Sequence, residues 1–158
     1  MQTDEEEIRR VLYTYCRGVD RADVEILRSV YHPDAIDDHG SFRLVAAEAI
    51  ERIIESVRRT KSSQHNLTNI LVQVDGDYAS SEAYANCQLL EYSPGGDRLR
   101  MLGLRYLDRF ERRNGEWRIA NRLVVHDWSV CLPTQEVWAR AHLLRQGSRD
   151  RTDPVYEL

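Results

Sequence analysis

Apolar residues recur at helical spacing at the start of the chain and switch to alternation after residue 60. Ile8, Val11, Leu12, Tyr15 and Val19 form one stripe behind Thr3 and Glu6, which have the spacing of a capping box. This predicts a first helix that Gly18 ends. Val24, Leu27 and Val30 predict a short second helix, capped by Asp20 or Asp23 and stopped at Pro33. "AIDDHGSF" reads as a short extended piece around a turn. Ile50, Ile53, Ile54 and Val57 mark a third helix within "VAAEAIERIIESVRRT".

Beyond Thr60, two strands flank Asp75-Gly76-Asp77, and "PGGD" at 94–97 leads into a third. Asn114-Gly115, a strong hairpin dipeptide, returns the chain as a fourth. A last helix is expected over "TQEVWARAHLL", after Pro133, and then a polar tail. Helices followed by a strand meander imply an α+β fold. The N-terminal helices pack in the concave face of a strongly curved antiparallel sheet, a cone-shaped α+β barrel whose interior is a natural ligand pocket. The 158 residues fit a single domain, with a core over about residues 5–132 and a tail over 133–158.

Composition narrows the function classes. An apolar share of 42% with 30% charged residues is that of a soluble globular chain. Lysine and arginine total 22 against 26 acids, so no basic field invites nucleic acid. No apolar run reaches membrane-spanning length, and "MQTDEEEIRR" is the opposite of a signal peptide. Cys16, Cys87 and Cys131 form no CxxC pair, which fits reduced thiols and a cytoplasmic location.

Several residues could carry chemistry. Strand parity puts Arg122 on one face with Ala120, Val124, His126 and Trp128. There it either snorkels to the rim or holds an anionic or carbonyl oxygen. Tyr84, Asn86 and Gln88 form a polar row that either lines a pocket or is wet. Ala83, Ala85 and Cys87 form the opposite, small row, suited to close packing against another subunit. His65 opens a strand, as a core residue or as a catalyst. Asp20 is either a helix cap or a site residue. His32, Asp34, Asp37, Asp38 and His39 crowd "HPDAIDDHG", yet their spacing matches no metal-ligand pattern. Asp37 and His39 share strand parity, which turns His39 toward the cavity. No P-loop, GxGxxG or nucleophile elbow is present.

Three stretches together resemble the SnoaL-like superfamily, within the broader nuclear-transport-factor-like cone fold: "YCRGVDRADVEILRSVYHPDAIDDHG", "HNLTNI" and "RYLDRFERRNGEWRIANRLVVHDW". The chain is most similar to the branch holding scytalone dehydratase, the bile-acid dehydratase and the hexachlorocyclohexane dehydrochlorinase. That resemblance implies elimination without a cofactor by an Asp–His dyad inside the cone. The family's aspartate falls on Asp20, its histidine on His65, its tyrosine or lysine on Tyr15, and its basic residue on Arg122. Positions that are acidic or histidine in some dehydratases are Asn86 and Gln88 here.

The expected function is a cofactor-independent lyase, a dehydratase acting on a hydrophobic cyclic or aromatic molecule. His65, Asp20, Tyr15 and Arg122 are the catalytic set; His39, Tyr84, Asn86, Gln88, His126 and Trp128 are the candidate substrate-binding residues. No cofactor or metal is called for, nor any nucleic-acid or membrane partner. The resemblance also implies a homo-oligomer, a trimer over a dimer. Two alternatives remain: an isomerase or polyketide-cyclase-like enzyme, and a non-catalytic module like a ring-hydroxylating dioxygenase small subunit. As a base His65 must lose its proton, and its pKa is expected within about a unit of 6.5.

Overall fold

The computed structural model of the chain describes residues 2–134 and 138–157. Helices α1 (Asp4–Asp20), α2 (Val24–Val30) and α3 (Ala46–Arg58) pack in the concave face of one curved sheet. Its strands are β1 (Tyr31–Asp38), β2 (Arg43–Val45), β3 (Thr60–Asp75), β4 (Tyr78–Glu91), β5 (Arg98–Arg113) and β6 (Glu116–Pro133). Their order is β2-β1-β6-β5-β4-β3, and the sheet does not close. The expected meander is β3 to β6. The addition is β1, which runs parallel to β6 and makes the sheet mixed rather than wholly antiparallel. Without it β6 would be an edge, with a row of unpaired backbone groups. The β1–β6 register shifts between Tyr31 and Ile36, around Pro33, which has no N–H to give to a ladder.

The capping box at α1 is formed: Thr3 N donates to Glu6 at 2.8 Å, and Glu6 N donates to Thr3 Oγ1 at 3.3 Å. Gly18, expected to end this helix, lies inside it. A Cβ there would stand 2.8 Å from Leu27 Cδ2, so the glycine lets α2 cross close to α1. The turn is made by Ala22, at φ 50°. Asp23 takes the α2 cap, accepting from the backbone N–H groups of Glu25 and Ile26, and Asp20 is left free of capping duty.

Ala83, Ala85 and Cys87 are buried in the core beneath the helices. The suggestion that this small row meets another subunit therefore fails. Small side chains are needed where helices press on a concave surface. Two bulges bend β6. Phe110 pairs with Ile119 but Arg109 with Asn121, and Leu104 pairs with His126 but Gly103 with Trp128. The extra residues are Ala120 and Asp127, and each turns the next part of the strand to the other face.

Of the helix expected after Pro133, residues 135–137 lie outside the described residues, and Ala141–Leu143 form only one 3₁₀ turn. Beyond it the tail crosses the corner between α1, α2 and β3. Arg149 Nη1 donates to Val57 O at 2.6 Å and Thr60 O at 2.7 Å, Arg21 pairs with Asp153 at 2.8 Å, and the Tyr156 hydroxyl donates to Asp23 at 2.6 Å. Among the described residues no helix is long and apolar enough to cross a membrane.

Candidate active site

Helices and sheet leave a cavity of about 490 Å³, a common size for a small-molecule site. Apolar residues from several elements line part of it: Val19 from α1, Ile53 and Val57 from α3, Leu102 and Leu104 from β5. Tyr15, His39, His65 and Tyr106 stand beside these apolar residues, and Arg52, Arg59, Glu91 and Arg100 add charged groups to the same lining.

His65 Nδ1 lies 2.7 Å from Asp20 Oδ1, and the His65 backbone N–H donates to Asp20 Oδ2 at 2.9 Å. Both carboxylate oxygens are thus spent on one residue, which fixes the ring and puts its neutral-state proton on Nδ1. The remaining nitrogen, Nε2, makes no hydrogen bond among the described residues. The register follows from strand pairing, with His65 opposite Cys87 on the concave face. Burial favours the uncharged imidazole, but the hydrogen bond to Asp20 and the neighbouring Cys87 outweigh it and push His65 up to about 9. Burial likewise opposes ionisation of Asp20, and the hydrogen bonds from His65 hold its carboxyl below the usual range. The expectation of a pKa near 6.5 for His65 is corrected upward, because the carboxylate favours the imidazolium more than burial disfavours it.

Arg122 does not reach the cavity. It is fully buried, paired through two 2.7 Å hydrogen bonds with Asp108 on β5. Its guanidinium carbon lies 3.9 Å from the Tyr15 ring centre and 4.4 Å from that of Tyr106. Burial works against its charge, but the Asp108 carboxylate outweighs burial and Arg122 stays cationic. The Nη1 atom has no partner among the described residues. Arg122 acts as the floor under Tyr15, not as a direct ligand. Burial holds the Tyr15 phenol well above its ordinary pKa, so it is a neutral donor.

The chain belongs to the SnoaL-like family. Residues 2–123 match its domain, described as SnoaL-like. An uncharacterized protein of Mycobacterium tuberculosis and one of Mycobacterium bovis are each 31% identical over 134 residues, covering 77% of this chain and 84% of their own length. The fold is shared with a hexachlorocyclohexane dehydrochlorinase of Novosphingobium barchaimii, at a TM-score of 0.73 and 20% identity over 85% of this chain and 93% of that one. It is shared as well with a scytalone dehydratase candidate of Novosphingobium aromaticivorans, at a TM-score of 0.72 and 16% identity over 84% and 89%.

Other residues expected at a SnoaL-like site lie elsewhere. Tyr84, Asn86 and Gln88 alternate with the buried small row and therefore sit on the convex face, where Asn66 Nδ2 donates to Gln88 Oε1 at 2.9 Å. Trp128 shares that face because Asp127 is bulged, and its indole covers Gly103. His126 pairs with Leu104, keeping the concave side, but it is exposed toward the open end and does not line the cavity. His39 does line it, stacked on Phe42 with ring centres 5.0 Å apart. His32 is bound to Glu111 O at 2.9 Å, and Asp34 pairs with Arg113. Residues not singled out in advance are Tyr31, Tyr106 and Asp108. Counting back from Asn114-Gly115 places Arg122 opposite Leu107, one residue from Asp108, and that near miss was the available signal.

Proposed function

We propose that the protein is a cofactor-independent lyase that eliminates water or a similar leaving group from a hydrophobic cyclic or aromatic substrate. The supporting observation is the 2.7 Å Asp20–His65 contact at the wall of a cavity with both apolar and polar lining. Asp20 holds the Nδ1 proton, so the neutral ring offers Nε2 to a C–H bond beside a carbonyl or ring. As the proton moves, Asp20 steadies the imidazolium. Tyr15, kept un-ionised and backed by the Arg122 charge, donates toward oxygen that gains negative charge. Isomerisation and ring closure share the first proton abstraction; a scaffold needs neither Asp20 nor His65.

The test is His65→Gln, which keeps the volume and removes the base. Purified protein, without added cofactor, is screened against hydroxylated aromatic and alicyclic compounds. Turnover by the wild type should fall at least about 10²-fold in the variant, with an unchanged melting temperature. A variant that keeps near-normal turnover refutes the dyad as the base.

A further inference from the structure

The cavity contains a second histidine on a buried carboxylate. His39 Nδ1 is bonded to Asp37 Oδ1, and the other oxygen of Asp37 accepts from the Tyr31 hydroxyl. Asp37 is fully buried while His39 is partly exposed. Burial opposes ionisation of Asp37, but the His39 hydrogen bond and the nearby Arg122 charge hold it as a carboxylate. As at His65, the carboxylate takes Nδ1, and Nε2 has no hydrogen-bond partner among the described residues.

The two histidines reach the cavity from opposite sides of the sheet. His39 follows β1 and His65 lies on β3, with β6, β5 and β4 between them. In a flat sheet these strands would stand about 19 Å apart. The curvature folds both onto one cavity. An elimination with a poor leaving group is served by this disposition: one group accepts a proton from carbon, and another supplies one to the departing atom.

We propose that His39, oriented by Asp37, is the general acid that protonates the leaving group, working opposite His65. This rests on the reading of His65 as the base. His65 Nε2 takes the proton from the C–H bond and that electron pair becomes the new π bond. The carbon–oxygen bond breaks, and its pair takes the Nε2 proton of the His39 imidazolium to leave as water. The cycle ends with neutral His39 and protonated His65, and solvent exchange restores both. The groups facing His39 are Asp37 beneath it and Phe42 stacked on it, with Tyr31 and Arg122 behind Asp37. Two carboxylate-held imidazoles thus divide the work that one ring would otherwise have to do in sequence.

Two ring-opening probes test this without knowledge of the natural substrate. Benzisoxazole and 5-nitrobenzisoxazole both lose a ring C–H proton to a base, form a nitrile and break the N–O bond to release a phenolate. The nitro compound stabilises its own phenolate and needs little acid; the parent needs more. His39→Gln should slow the parent at least about 10²-fold and the nitro probe less than about 10-fold, whereas His65→Gln slows both. Equal effects of His39→Gln on the two probes, with His65→Gln still damaging, overturn the acid role alone. If His65→Gln spares both probes, or the wild type accelerates neither, the base reading falls and this one with it. Circular dichroism and melting curves on each variant separate loss of fold from loss of the acid.

Discussion

Replacing Asp20 by asparagine should remove the base without emptying the site. Asp20 accepts from two N–H groups of the same residue, the backbone of His65 at 2.9 Å and its Nδ1 at 2.7 Å. An asparagine has one oxygen for the two donors. If that oxygen keeps the backbone N–H, its NH₂ faces Nδ1 and drives the ring proton to Nε2, the atom that must accept. The shift of His65 from 6.5 to about 9 corresponds to roughly 3 kcal/mol favouring the imidazolium. At pH 7 about one wild-type ring in a hundred carries the free Nε2 pair, so with 5-nitrobenzisoxazole, which needs little acid, the rate should climb about tenfold per pH unit and level off near 9. Long-range proton–nitrogen NMR reads midpoint and tautomer without any substrate. In Asp20→Asn the midpoint should fall to about 6.5 or below, because burial then acts almost alone, and turnover of the benzisoxazoles should drop by about 10²–10⁴. The stability difference between the two proteins has its own signature. Folding raises the proton affinity of His65, so that contribution is full below about pH 6.5 and is lost as pH rises through about 9. On the acid side Asp20, held below 3.8, loses its contribution as it is protonated. The gap in melting temperature should therefore be widest between about pH 4 and 6.5. A wild-type midpoint at the ordinary value, or one that Asp20→Asn leaves in place, refutes the reasoning.

The floor and the convex face give further tests. Arg122→Leu strands the Asp108 carboxylate in the core and should cost about 3–5 kcal/mol by denaturant unfolding, much of it regained in Arg122→Leu/Asp108→Leu; a cost below about 1 kcal/mol would contradict the pair. A Cβ on Gly103 would lie 2.1 Å from Trp128 Nε1, so Gly103→Ala should cost about 1–3 kcal/mol and be largely relieved by adding Trp128→Ala. Tyr84, Leu123, Trp128, Val130 and Leu132 leave large apolar areas exposed on the convex face. We expect this face to bury itself in a homo-oligomer, most simply a trimer of the 18.5 kDa chain; sedimentation at micromolar concentration showing the monomer mass would refute that.

Local patterning made the helices, the β3–β6 meander and its hairpins legible, since each depends on periodicity and turn residues close in the chain. β1 was legible only as an extended piece, because its partner β6 lies about eighty residues away and parallel pairing leaves no turn signature. The residues of β6 show the same limit more sharply. Alternation placed Arg122 and Trp128 on one face, and the bulge at Asp127 separates them. Asp20 and His65 became a pair only through family resemblance, being 45 positions apart with no local pattern joining them. The Asp37–His39 pair was half visible: parity aimed His39 inward, but its bond to Asp37 depends on where the turn after β1 carries the ring.

The parallel seam between β1 and β6 also sets the order in which the cavity can be built. β3 to β6 can zip together through short hairpins, each closing a small loop. β1 must wait for β6, the last strand in the chain, and its closure spans most of the domain. The wall carrying His39 should therefore be completed late in folding, after the wall carrying His65. Substitutions along this seam should mainly speed unfolding, whereas those in the Asp75–Tyr78 hairpin should slow refolding more, and until the seam closes the chain has half a cavity and one of its two imidazoles in place.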